Sequence, residues 1–335
     1  YLISYREAAD GQILQEGINE AGAMASFTAA GTSHSAVGAT TVPFFLLYSM
    51  FGFQRVADLI WAFADTRGRG FLLGATAGRT TLNGEGLQHQ DGQSLLYAST
   101  VPSCRAYDPA FAYEAAVITR RGLASMLEEQ QDIFYYLTLY NEAYPMPAMP
   151  EGVEEGILAG LYPLRRGDGG SQPAVQLLGS GPMVREALRA QQLLREQFDV
   201  NADVWSATSY GELRRDALAT ERRNRLHPDQ PERVPYVARA LESAAGPVVA
   251  VTDYVKAVPE MIARWVPGRF VALGTDGYGR SDTRPALRRL FEVDAESIAV
   301  AALSALARQG DFDPARAAAA VRDLGVDGQA SPLTL

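Results

Sequence analysis

The chain has 335 residues, enough for two domains of ordinary size, each with its own core. Hydrophobic residues make up 47% and charged residues 21%, and no apolar run approaches the roughly 18 residues of a membrane span, so the composition reads as a soluble globular protein with no membrane contact. The net charge is -9, with 8 basic and 14 acidic side chains in residues 1–150 and 22 and 25 in the remainder, and neither part offers the basic face that a nucleic acid requires. Helical and extended patterns alternate throughout, which predicts an α/β protein of two domains, each a mainly parallel sheet covered by helices. Asp10 is placed to cap a helix through about residue 29, with Ile13, Leu14, Ile18 and Ala21 spaced three to four apart. VPFFLLY, residues 42–48, is continuously apolar, as buried parallel strands are, and FQRVADLIWAFA follows it as an amphipathic helix. GFLLGAT, residues 70–76, is the next strand and opens into a polar, glycine-spaced loop, GRTTLNGEGLQHQDGQS. Asp108 and Pro109 suit the cap and first position of a helix to about residue 129, and DIFYYLTLY follows as a strand.

Pro145, Pro147 and Pro150, followed by the glycine cluster RRGDGGSQP, predict a linker over 144–172 between a first domain, 1–143, and a second, 173–335. AVQLLGSGPMVREALRAQQLL opens the second domain as strand, glycine turn and helix. ADVWSA, PVVAVTD and RFVALGT then read as strands, alternating with helices near 233–245, 256–265 and 283–309.

Several chemistries lose their anchors at this stage. Cys104 is the one cysteine, which excludes an intramolecular disulfide and any multi-cysteine metal site and fits a reducing cytoplasm. His34, His89 and His227 are scattered and form no metal-binding pair. GSGPMV sits between a strand and a helix as a dinucleotide fingerprint would, but Val184 stands where the third glycine belongs, and the motif reads as an ordinary glycine turn. Gly167, Asp168 and Gly169 form a turn ahead of a strand, with no asparagine at the distance a magnesium and diphosphate motif demands. Neither a phosphate loop nor a G-x-S-x-G nucleophile elbow occurs.

The strings LQEGINEAG, YSMFGFQR and GRTTLNGEGLQHQDG in the first 95 residues, NEAYPMPAMPEGVEEGI in the linker and LGTDGYGRSDTRPALRRLFEVD in the second domain form a set that spans essentially the whole chain. Together they resemble the thiamin-diphosphate enzymes of the transketolase and 2-oxo-acid dehydrogenase group, in particular the homodimeric decarboxylating component of bacterial pyruvate dehydrogenase complexes. The resemblance implies most of a pyrimidine-binding domain and a complete transketolase-like C-terminal domain. The domain holding the diphosphate and Mg2+ is expected to precede Tyr1. It further implies a cytoplasmic bacterial homodimer that decarboxylates a 2-oxo acid, pyruvate or a neighbour such as 2-oxobutyrate. The acetyl unit would pass to the lipoyl domain of a dihydrolipoyl acetyltransferase core. An isolated fragment would be inactive.

Residue by residue, the resemblance implies that Glu20, the last residue of G-I-N-E, is the carboxyl that hydrogen-bonds the pyrimidine ring nitrogen and makes the cofactor's amino group a base. Glu16 is the nearest competitor, and without the resemblance either glutamate is a solvated helix residue. Ile18 matches the bulky side chain that bends the cofactor, and Phe51 the aromatic that packs on the pyrimidine, with Phe53 as its alternative. Tyr48 matches a hydroxyl that reaches the substrate, and its place at a strand end suits that role. His89 matches an imidazole facing the reacting carbons, and Glu85, four residues earlier, would orient it or line the entrance. His34 stands where related pyruvate enzymes carry tyrosine, which leaves the oxo acid open. Asp276, Arg280 and Asp282 in the GTDGYGRSD loop read as a rigid interface turn, with anion contact as the alternative. A stand-alone β-type dehydrogenase subunit and a purely dimerising module are the rival readings.

Overall fold

A computed structural model describes residues 6–169 and 174–329 of the chain. Residues 6–19 have no helix or strand, and the first helix, α1, spans Glu20–Gly31. The helix expected from Asp10 is displaced because Gly17 takes a φ of +68°, and Asn19 then caps α1 by accepting from the Gly22 N–H at 3.1 Å. Ile13 and Leu14 therefore stay exposed and form no buried stripe. A short helix, α2 (Ser33–Ala36), leads to β1 (Phe44–Tyr48), α3 (Gly52–Asp65) and β2 (Phe71–Ala75). After the polar loop come α4 (Ser94–Thr100), β3 (Cys104–Tyr107), α5 (Ala112–Leu127) and β4 (Phe134–Thr138).

These four strands form one parallel sheet in the order β1-β2-β4-β3, with Phe44 opposite Phe71 and Tyr48 opposite Ala75. α3 buries Phe53, Val56, Ile60 and Phe63, which recur every three to four residues, in a core shared with Met24, Phe27, Leu47 and Phe134. The Phe63 ring centroid lies 4.7 Å from that of Phe27 and 5.2 Å from that of Phe134. Full burial of such a side chain is worth about 1.5–3 kcal/mol, and Phe63→Ala would cost about 3–5 kcal/mol. β1 departs from the expectation of a strand buried on both faces. It is an edge strand, and Phe44, Leu46 and Tyr48, on its outer face, are exposed.

The stretch expected as a linker, 144–172, contains regular structure: α6 (Glu154–Ala159) and β5 (Tyr162–Arg165). They are followed by β6 (Ala174–Gly179), α7 (Met183–Phe198), β7 (Asn201–Ser206), α8 (Tyr210–Leu226), α9 (Tyr236–Leu241) and β8 (Val248–Val251). The last elements are α10 (Ala257–Glu260), β9 (Phe270–Leu273), α11 (Arg284–Leu290), α12 (Ala295–Gln309) and α13 (Pro314–Asp323). The second sheet runs β5-β7-β6-β8-β9, parallel except for β5. Ala187 and Ala190 of α7 and Ala299 and Ala302 of α12 are buried in one core, small residues that let the two helices approach closely.

The carboxyl ends of the two sheets face each other. Asp108, just past β3, donates its N–H to the Thr208 carbonyl at 2.7 Å and accepts the Gly181 N–H at 3.2 Å. Its side chain does not cap α5 as the sequence suggested. Glu114 instead folds back to accept from the Ala110 and Phe111 N–H groups, while the Asp108 carboxyl accepts from Thr138 and Tyr140 at 2.6 and 2.5 Å. Asp108 is fully desolvated, and burial raises its pKa from 3.8 to about 6.

Candidate functional site

The sequence-derived residues converge at the carboxyl ends of β1 and β2, where a parallel sheet presents its ligand-binding crevice. Tyr48 is the last residue of β1, and Phe51 closes the turn that follows it. His89 comes from the loop after β2 and packs on both: ring centroids are 5.6 Å from Tyr48 and 5.1 Å from Phe51, each edge-on. Glu85 lies one turn before His89 with its carboxylate 3.9 Å from the imidazole Nε2. The other imidazole nitrogen, Nδ1, is buried without a hydrogen-bond partner, so Nε2 is the atom that faces Glu85.

Glu20 reaches the same cluster through a residue the sequence did not single out. Arg55, in the first turns of α3, places its guanidinium 4.0 Å from the Phe51 ring centre and donates to the Glu20 carboxylate at 3.0 Å. The signal was present, because Arg55 stands four residues after Phe51 and so on the same helix face. The two glutamates are thereby distinguished. Glu16 accepts a hydrogen bond from Ser26, whereas Glu20 turns toward Arg55 and Phe51. The aromatics separate as well, since Phe53 is buried edge-on against Tyr136 in the core and Phe51 is half-buried at the cluster. Ile18 is 99% exposed just before the Asn19 cap and touches none of the cluster's rings. His34 lies in α2, beyond the far end of α1 from Glu20, a helix of 12 residues and so about 18 Å long.

Beneath the rings lies a buried polar network. Ser49 donates to Asp91, which also accepts from the Gln93 and Ser94 N–H groups at 3.0 and 2.9 Å and from the Tyr254 hydroxyl at 3.1 Å. Tyr136 donates to Ser94 at 2.8 Å, and burial pushes the phenols of Tyr136 and Tyr254 well up, so both stay protonated donors. Tyr254 belongs to the second sheet's part of the chain and the other members to the first. The GTDGYGRSD loop joins from the same side. Gln90 brackets the Arg280 backbone, accepting its N–H at 2.7 Å and donating to its carbonyl at 2.7 Å, and Ser281 donates to the Gly84 carbonyl at 2.7 Å. Asp276 accepts the Lys256 N–H at 2.9 Å.

Chemically, the cluster offers a carboxylate at the edge of an aromatic face, a phenol, and an imidazole with no hydrogen bond at either nitrogen. That donor set fits a flat nitrogen heterocycle with an amino substituent: Phe51 would pack on it, Glu20 would bond a ring nitrogen, and the imidazole would face a reacting group through Nε2, since Nδ1 is buried. Among the described residues no three His, Cys, Asp or Glu side chains converge as a metal site would require. No helix among them is long and apolar enough to cross a membrane.

Both parts of the chain are similar to known proteins. Residues 1–147 match the family model of the pyruvate dehydrogenase E1 component middle domain, and residues 160–294 that of the transketolase-like C-terminal domain. The chain is 57% identical over 327 residues to the pyruvate dehydrogenase E1 component of Pseudomonas aeruginosa, covering 97% of this chain and 37% of that protein. It is 54% identical to the E1 component of Mycobacterium tuberculosis, over 98% of this chain and 36% of that one. The chain thus spans little more than a third of the length of these curated relatives. Among solved structures, a transketolase from Leishmania mexicana superposes with a TM-score of 0.59 at 17% identity, over 80% of this chain and 34% of that one. A split-gene transketolase chain, described as an inactive beta4 tetramer, gives 0.60 at 19% identity over 87% of this chain and 83% of its own. These likenesses show the transketolase-like α/β fold. The chain therefore belongs, over residues 1–147 and 160–294, to the families of the pyruvate dehydrogenase E1 component middle domain and the transketolase-like C-terminal domain.

Proposed function

We propose that this chain supplies the pyrimidine-binding domain, within 1–143, and the C-terminal domain, within 173–335, of a cytoplasmic, thiamin-diphosphate-dependent pyruvate dehydrogenase component. The enzyme decarboxylates pyruvate and passes the acetyl unit to the lipoyl domain of a dihydrolipoyl acetyltransferase core. The observation that carries the reading is the meeting of Glu20, Arg55, Phe51, His89, Glu85 and Tyr48 in one contiguous cluster at the carboxyl edge of a parallel sheet. Its fit to an aminopyrimidine agrees with the name borne by the relatives.

When bound, thiamin diphosphate supplies a carbon nucleophile and an electron sink for loss of carbon dioxide. Glu20 holds the proton at the pyrimidine ring nitrogen, and Arg55 fixes the direction of its carboxylate. Phe51 packs on the ring, and Ile18, exposed and apart from the cluster in this chain, takes its part in the pocket only against the bound cofactor. His89, backed by Glu85, exchanges protons with the substrate or holds its carboxylate, and the Tyr48 hydroxyl bonds the substrate oxygen. Mg2+ and the diphosphate bind residues of the parent enzyme outside this chain. The uncovered outer face of β1, with Phe44 and Leu46, is suited to a homodimer contact.

The test is to put this chain in place of the corresponding third of the Pseudomonas aeruginosa E1 component. The graft should decarboxylate pyruvate, and the 335-residue chain alone should neither do so nor bind thiamin diphosphate tightly by calorimetry. A graft that folds and binds thiamin diphosphate yet leaves pyruvate intact refutes the reading, and faster turnover of 2-oxobutyrate reassigns the substrate.

A further inference from the structure

The loop that carries Glu85 and His89 is held from the far side of the molecule. At its start Asp253, just past β8, is fully buried and receives four hydrogen bonds. Its Oδ1 accepts from the Thr80 N–H at 2.9 Å and the Thr80 hydroxyl at 2.7 Å, and its Oδ2 from the Thr81 N–H at 3.0 Å and hydroxyl at 2.6 Å. Arg79 donates its N–H to the Asp253 carbonyl at 3.2 Å, and its side chain donates to the Thr275 carbonyl. Gly78, with a φ of +80°, lets the backbone come this close, since a Cβ there would lie 2.2 Å from Asp253 Oδ2.

The loop enters this clamp through strained backbone. Thr76, at the end of β2, has a φ of +56°, a left-handed conformation that a β-branched residue adopts only when its surroundings impose it. At the other end Val255 donates to the Gly92 carbonyl at 2.9 Å and Tyr254 to Asp91. Between the two ends, Arg284 donates to the Thr81 carbonyl at 2.8 Å, next to the Gln90 and Ser281 contacts with residues 280 and 84. Residues 79–92 are therefore fastened by the second part of the chain at both ends and in the middle, while His89 packs against Tyr48 at the end of β1 and Glu85 lies beside it.

We propose that Asp253 is a positioning residue for the reactive pair. By gathering the two N–H groups and two hydroxyls of Thr80 and Thr81, this carboxylate of the C-terminal domain sets where the imidazole of His89 and the carboxylate of Glu85 stand against Tyr48 and Phe51. A buried carboxylate with four donors is worth more than a neutral pairing and fails sharply when one donor is lost. The C-terminal domain is thus part of the site's geometry, although it places no side chain in the cluster itself. The assignment rests on the reading of His89 and Glu85 given above, and its test needs no cofactor.

The chain holds three histidines, so each imidazole can be followed by proton–carbon correlation NMR. In Asp253→Asn and Thr81→Val the His89 signal should move while those of His34 and His227 stay, and amide exchange over 79–92 should quicken by about tenfold or more. Thr81→Ser, which keeps the hydroxyl, should restore both. If Asp253→Asn fails to fold, the Thr81 pair decides, because it alters a single hydroxyl at the loop's root. A loss of global stability with an unmoved His89 signal and parental loop exchange overturns the proposal and makes Asp253 a purely structural carboxylate. A moved His89 in a chain whose graft shows no thiamin-dependent chemistry sustains the positioning role and sinks the functional reading instead.

Discussion

Replacing Asp108 by asparagine probes whether the seam between the two sheets is as dry as its hydrogen bonding implies. In the folded chain the carboxyl's pKa is raised from 3.8 to about 6, chiefly by burial and against the hydrogen bonds from Thr138 and Tyr140. The native state then binds this proton more tightly than the unfolded chain does. Between the two values folding takes up protons, so the group's contribution is full below about pH 4 and is lost as pH rises through about 6. The shift corresponds to about 3 kcal/mol. An asparagine keeps an acceptor for Thr138 and Tyr140 but places an amide where Oδ2 has no partner, a cost of about 1–3 kcal/mol that does not depend on pH. The informative quantity is therefore the change with pH in the stability difference between parent and Asp108→Asn. Urea unfolding at pH 4 and pH 7 should show that difference moving by about 2–3 kcal/mol in the variant's favour at the higher pH. Glu114, also buried with a raised pKa, is present in both chains and cancels, whereas the charge of Asp253 adds to the upward shift of Asp108 and its relief in the variant acts in the same direction. A difference that stays flat across this range refutes the reasoning, because it would mean that water reaches Asp108 and that the sheets do not close on one another.

Two further outcomes follow from the site and the fold. In the grafted enzyme Glu20→Gln should slow hydrogen–deuterium exchange at the thiazolium carbon by about a hundredfold to ten-thousandfold. Glu16→Gln should change it little, since that carboxylate is engaged by Ser26 and not by Arg55; the reverse pattern would put the assignment off by one turn. Light scattering on the 335-residue chain should show self-association, and Leu46→Glu on the outer face of β1 should weaken it, whereas a monomer at every concentration would remove β1 as a contact surface.

Much of the fold was legible because its signals are local. The runs at 44–48, 71–75, 134–138 and 248–251 are apolar over strand length, and α3 and α7 repeat their buried residues at helical spacing. β3 escaped notice because Cys104, Arg105, Ala106 and Tyr107 are too few and too mixed to stand out, and β5 because it follows three prolines and pairs antiparallel at an edge. The helix expected from Asp10 failed on a backbone property, the left-handed Gly17, that apolar spacing does not register.

The site divides along the same line. Tyr48, Phe51, Glu85 and His89 sit in two short strings, and it is the resemblance of those strings to the thiamin-diphosphate enzymes, not any local signal, that brings them together. What fixes their approach could not be read from either. Asp253 meets Thr80 and Thr81 across more than 170 residues, and Gln90 meets Arg280 across 190. A threonine pair, an aspartate after a strand and a glutamine in a loop are each unremarkable alone. Their meaning arises only when the carboxyl ends of two sheets are set face to face, each sheet lending the other the donors and acceptors that its own loops leave unpaired. The loop bearing the imidazole is then held on one side by a carboxylate of the second domain and pressed on the other against the aromatics of the first. A change in either domain that shifts the seam must move His89, even when every residue of the cluster is left untouched.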